Sequence, residues 1–147
     1  MEKHIPNPKD HKKKLDVLNK IFQAEMAGIV RYLHYSFMIM GHNRIPIQKW
    51  FRDKAQESIS HTTIIGEKIT SYGGHPPIVS SNVADTKGHS VHTILEESLD
   101  FELETLELYK QLVKVAEDDI ALDELAREMV KIETDDTDEV LKMLRSG

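Results

Sequence analysis

Apolar residues recur three and four positions apart along four separate stretches of the chain. That period belongs to amphipathic helices and not to strands, whose side chains alternate every second residue. The first predicted helix runs from about Lys9 to Met40, with a stripe through Leu15, Leu18, Ile21, Phe22, Gly28, Ile29, Tyr32 and Leu33. It stops at "GHNRIP", where Gly41, Asn43 and Pro46 break the pattern. The second runs from Ile47 to Tyr72 and carries Trp50, Phe51, Ala55, Ile59, Ile65 and Ile69 before "GGHPP" ends it. A third, Val91 to Ala116, and a fourth, Leu122 to Leu144, flank the acidic break "EDDIALD". No sustained period exists between Gly73 and Ser90.

Connection lengths then restrict topology. Short links between helices one and two, and three and four, make each pair an antiparallel hairpin. The long connection between helices two and three can travel the length of a bundle. The expected fold is therefore all-α: one domain spanning residues 1–147, with two antiparallel helix hairpins joined by one long crossover. Roughly the first eight residues, polar and proline-broken, are expected to form a flexible arm.

Composition narrows the function classes. The 147 residues are 39% hydrophobic and 30% charged, with net charge −6. A basic footprint for nucleic acid is therefore not expected. There is no cysteine, which excludes disulfides, thiolate nucleophiles and thiolate metal sites. No apolar run is long enough to span a bilayer, and the N-terminus lacks the apolar core of a signal peptide. A cytoplasmic protein is expected. "KDHKKK" is the sole low-complexity stretch, and no repeat or phosphate loop is present.

Carboxylates inside apolar stripes carry the chemical signal, because an unpaired buried charge costs several kcal/mol. Glu25 lies between Ile21, Phe22 and Gly28, Ile29 on helix one. Glu102 follows Leu95 and Ser98 and precedes Thr105, Leu106 and Tyr109 on helix three. On helix four, Glu133 and Asp136 fall on the face of Met129, Ile132 and Val140, whereas Asp135 and Asp138 point elsewhere. On helix two, "QESISH" places His61 one turn from either Glu57 or Ser58. Each helix thus contributes an inward polar group near its middle. Such a set suits iron or manganese, with zinc also possible.

The stretches "AEMAGIVRYLHYS", "SISHTTIIGEKI", "FELETLELY" and "ETDDTDEV" resemble the ferritin-like superfamily, in particular bacterioferritins and mini-ferritins. The resemblance covers Lys12 to Arg145 and implies a ferritin-like four-helix bundle. It implies a dinuclear iron centre in which Fe(II) is oxidised by O2 or H2O2 and the product stored. The family pattern is a glutamate in each of helices one and three, and Glu-x-x-His in each of helices two and four. Glu25 and Glu102 take the lone glutamate positions, His61 the helix-two histidine, and Glu133 the helix-four glutamate. Ser58 stands where the helix-two glutamate belongs, and Asp136 where the helix-four histidine belongs.

The resemblance therefore implies metal ligands Glu25, Glu57, His61, Glu102, Glu133 and Asp136, with Glu57 reaching in to replace what Ser58 cannot supply. Glu25, His61 and Glu102 are the residues expected to carry ferroxidase activity, slower than in a full-motif relative. A shell or scaffold with a degenerate site is the competing reading. Haem is not expected, since Ile59 replaces the methionine that binds it in bacterioferritins. The chain ends almost directly after helix four, which favours a dimer or twelve-subunit shell over a twenty-four-subunit cage. Lys9, Lys12, Lys13 and Lys14 resemble the DNA-binding arm of protective mini-ferritins, but a solvated helix start is the simpler account. His4, His11, His34, His42, His75, His89 and His92 form no evident metal set.

Overall fold

The computed structural model describes residues 2–86 and 88–145. After 3-10 turns at Glu2–His4 and Pro8–His11, four helices follow: α1 (Lys12–Met38), α2 (Arg44–Ser71), α3 (Val91–Ala116) and α4 (Ile120–Leu144). Among the described residues there is no strand, and no helix is long and apolar enough to cross a membrane. α1 packs against α2, α3 against α4, and α1 against α3, as two hairpins and a crossover require. The end of the chain, Ser146 and Gly147, lies outside the described residues, as does Lys87 in the crossover.

Boundaries shift where local chemistry differs from periodicity. α2 starts at Arg44, not Ile47, and takes Pro46 into its first turn. A proline is tolerated there because the first amide groups have no intrahelical partner. The α2 end is set by Gly73, at φ +82, and by Gly74, whose N–H donates to the Ile69 carbonyl at 2.9 Å. A Cβ on Gly73 would come within 2.7 Å of the Pro6 carbonyl oxygen. Ser90 caps α3 by accepting from the Thr93 N–H, and Asp119 caps α4 by accepting from Leu122. Asp119 also accepts from Lys14 and from the Tyr72 hydroxyl. One carboxylate thereby ties the start of α1 to the end of α2 and the start of α4.

The crossover is pinned to α1, where Ser81 donates to the Gln23 carbonyl through both its N–H and its hydroxyl. Helix faces agree with the stripes except at two positions. Ile59 and Leu33, assigned to stripes, are 42% and 39% exposed. The inner face of α2 is instead Phe51, Lys54, Ala55, Ser58, His61, Ile65 and Ile69, one position out of step with Ile59.

The core is divided. One apolar cluster gathers Leu15, Leu18, Ile21, Ile65, Ile69, Leu112, Leu122 and Met129 near one end. A second gathers Tyr32, Tyr35, Ile39, Phe51, Ile94, Leu95 and Val140 near the other. Between them the helices place the buried polar side chains Glu25, Lys54, Ser58, His61, Glu102 and Glu133. The candidate site is this middle layer.

Candidate metal centre

Each ligand candidate is held at mid-bundle by apolar neighbours one turn away on its own helix. Glu25 follows Ile21 on α1, Glu102 precedes Leu106 on α3, and Glu133 follows Met129 on α4, all of them buried. His61 is 5% exposed on α2. Its Nδ1 lies 2.7 Å from Glu25 Oε2 and 3.7 Å from Glu133 Oε1, while its Nε2 lies 3.8 Å from Glu57 Oε1. The hydroxyl of Tyr109 donates to Glu25 Oε2 at 3.3 Å. One end of the layer is therefore an imidazole between carboxylates.

The other end holds a residue that the sequence reading missed. Lys54, 4% exposed, brings Nζ to 2.6 Å from Asp136 Oδ2, 3.1 Å from Glu102 Oε1 and 3.8 Å from Glu57 Oε2. Its ammonium also lies 5.4 Å from the centre of the Tyr32 ring, and the Tyr32 hydroxyl donates to Glu102 Oε1 at 3.4 Å. A signal existed, since Lys54 is three residues after Phe51 and four before Ser58, on the face of His61. Lysines in stripes ordinarily extend to solvent, and a search for inward carboxylates passes over them.

The two helix-two candidates are placed differently. Ser58 is buried against α1, so closely that a Cβ on Gly28 would meet its Oγ at 2.9 Å. Glu57 sits at the rim, with its side chain 27% exposed and its carboxylate turned to both His61 and Lys54. Glu102 is drawn to Lys54 and is not grouped with His61. The remaining histidines join no such cluster among the described residues; His34 faces Asp85 and His92 faces Glu96.

Protonation follows from burial and charge crowding. Burial pushes the Glu57 carboxyl up to about 7, aided by its hydrogen bond with Asp136 and opposed by Lys54. Burial also raises Glu133 and Glu102, against the pull of Lys54. For His61, burial works against the charged form but is outweighed by the hydrogen bond and charge of Glu25, so its pKa rises. Burial likewise opposes the Lys54 charge and is outweighed by Glu102, Glu133, Glu57 and Asp136, which hold the ammonium protonated.

Among the described residues, two groups have ligand atoms converging within 4.8 Å: Glu25, His61 and Glu133, and Glu57, Glu133 and Asp136. Glu133 belongs to both. Glu102 Oε2 and Glu57 Oε1 are buried without a hydrogen-bond partner. Five carboxylates face one ammonium and one imidazole, so the layer is short of positive charge. Hard oxygen donors with one nitrogen fit iron or manganese. The first group has no ammonium within it, whereas in the second Asp136 already holds Lys54.

Comparisons agree with this architecture. The family model described as "Ferritin-like domain" matches residues 15–146. A bacterioferritin from Desulfovibrio desulfuricans is 30% identical over 115 residues, covering 76% of this chain and 63% of the relative. The chain thus spans less than two thirds of that relative's length. A ferritin-like diiron-carboxylate protein from Bacillus anthracis superposes with a TM-score of 0.87 at 24% identity, over 92% of this chain and 98% of that one. A dodecameric thioferritin, the bacterioferritin-related protein of Bacteroides fragilis, superposes with a TM-score of 0.81 at 16% identity, over 95% and 89%.

Proposed function

Because this chain belongs to the ferritin-like domain family, we propose that it binds ferrous iron at the polar layer of its bundle, oxidises it and sequesters the ferric product. The observation that carries this reading is the buried convergence of Glu25, His61 and Glu133. Iron is here the substrate. Each ferrous ion gives up one electron; two of them, with two protons, reduce O2 to H2O2, or reduce H2O2 to two waters. Glu25 and Glu133 bind and neutralise the ion, His61 supplies the nitrogen, and Glu57 at the rim takes up or releases the proton exchanged with solvent. Tyr109 orients Glu25 through its hydroxyl.

The test is oxygen-consuming Fe(II) oxidation by the wild type, His61→Ala and Glu25→Ala. Removing either group should slow the reaction by at least about tenfold. Equal rates in all three would remove the site from the mechanism.

A degenerate shell or scaffold is the second reading, and Lys54 together with Ser58 and Asp136 is the observation that favours it. Retention of no iron after reconstitution would select it. On either reading the chain assembles with itself, as a dimer or twelve-subunit shell, in the cytoplasm. Light scattering during gel filtration distinguishes the two assemblies. Haem has no part in this proposal, since Ile59 offers no ligand atom where bacterioferritins have the haem-binding methionine. Nor does DNA, since Lys12 and Lys14 are engaged by Asp16 and Asp119.

A further inference from the structure

The two ends of the polar layer differ in what neutralises them. At the His61 end, Glu25 and Glu133 converge on an uncharged or singly charged imidazole. At the other end a full ammonium sits against Asp136 and Glu102, with Glu57 within reach. A lysine buried to 4% exposure is costly unless carboxylates surround it. Here they do, and it lies on the same face of α2 as the two groups that would otherwise form that helix's ligand pair.

Ser58 reinforces the point. A carboxylate projecting from α2 into the middle of the layer would add a ligand for a second ion, and position 58 is on the inner face to do so. Its hydroxyl is packed against Gly28, with the Phe101 ring also within 3.3 Å of where a Gly28 Cβ would lie. The α1–α2 interface is closed around a small side chain. The lost carboxylate and the gained ammonium are one turn apart, and each removes part of what a second ion requires.

We infer that the Lys54 ammonium serves as the resident cation of the Glu102–Asp136 end, so that each bundle takes one divalent metal ion, at Glu25, His61 and Glu133, instead of two. This rests on the reading that the layer binds metal, and it departs from the dinuclear centre that the resemblance implies. Glu133, common to both ligand groups, then faces the ion on one side and the ammonium's field on the other.

The experiment uses metal-stripped full-length protein and Mn(II) or Co(II) as the probe, without oxidant. Calorimetric titration and metal analysis after desalting give the number of tight sites, and Mn(II) electron paramagnetic resonance reports whether ions are isolated or exchange-coupled. The wild type should bind one ion per chain with an isolated-ion spectrum, and His61→Ala should lose it. Lys54→Ala should bind two, with a coupled spectrum. Should Lys54→Ala fail to fold, Lys54→Met keeps the stem's packing and tests the charge alone. Two coupled ions in the wild type would overturn the inference while leaving the proposed function standing. One ion in both the wild type and the lysine variants would overturn the role given to Lys54. One ion in the wild type, two in the variant, and no iron oxidation would uphold the inference and overturn the oxidase reading. No tight site at all would overturn both.

Discussion

The two ends of the polar layer lie in one bundle core, yet different chemistry offsets their carboxylates. Around Glu25, His61 and Glu133 the balance depends on protons, which are exchangeable, and under the proposed function on a metal ion that is exchangeable too. Around Glu102 and Asp136 it depends on Lys54, which is covalently part of the chain. An exchangeable cation makes a site responsive to iron supply, while a tethered one makes the fold independent of it. Under the proposed function one bundle contains a ligand-dependent end and a self-sufficient end, joined through Glu133. The comparison also bears on turnover. A centre with one ferrous ion supplies a single electron, so reduction of O2 to H2O2 must draw the second from another bundle or a later ion.

Removing the tether should have the largest effect on stability. Lys54→Ala leaves buried carboxylates without their partner and should cost about 3–5 kcal/mol in metal-free protein at pH 8. The cost should shrink toward pH 5, as Glu57, Glu102 and Glu133 take up protons, and it should shrink when Mn(II) is added. Urea unfolding at the two pH values, with and without metal, checks this. A loss unaffected by pH or metal would mean that Lys54 contributes through packing alone.

The exchangeable end should reveal itself through pH. In the metal-free fold Glu57 keeps a proton up to about 7 that the unfolded chain releases in the ordinary glutamate range. Between those values the native state binds more protons, so unfolding free energy must fall as pH rises, by on the order of 2 kcal/mol. His61 adds to the same trend. Its folded pKa is raised, so its stabilising charge is present at low pH and is lost as pH rises through that value. Bound metal replaces these protons, so affinity should increase with pH across the same window. Thermal unfolding from pH 5 to 8, with and without Mn(II), measures both slopes, and a metal-free slope of the opposite sign would break the comparison.

Smaller effects probe the walls. Gly28→Ala brings a Cβ to 2.9 Å from Ser58 Oγ and should cost about 1–2 kcal/mol. Ser58→Ala in the same chain should recover part of it, since the hydroxyl is the atom encroached upon. Denaturant midpoints of the two single variants and the double variant test this coupling. Tyr109→Phe removes the hydrogen bond to Glu25 and should cost about 1 kcal/mol without metal. Its sharper readout is a change in Mn(II) affinity, which Tyr32→Phe, at the lysine end, should alter less.

Much of this molecule is legible in one dimension because helical period, breaks and loop lengths are local properties. The four helices and the inward placement of Glu25, Glu102 and Glu133 follow from spacing of three and four, and the hairpin pairing from the short links. Glu57, expected to reach inward, stands at the rim with its carboxylate 3.8 Å from both His61 and Lys54. Local rules failed where a neighbour decided. Pro46 sits within α2 because a first turn needs no N–H from it, and Ile59 is exposed because the α2 face is set by its packing on α1.

Sequence alone placed Glu25, His61, Glu102 and Glu133 in the mid-bundle layer, since a helix presents every third or fourth residue to its neighbours. It could not determine how those side chains would divide among themselves. Lys54 and Glu102 are far apart along the chain, and their 3.1 Å approach exists only once the two hairpins have docked. The same docking gave Asp136 to the lysine, whereas His61 meets Glu25 within the first hairpin. Electrostatic partnership in a buried layer depends on distances of a few ångströms across helices, and only the assembled bundle sets those.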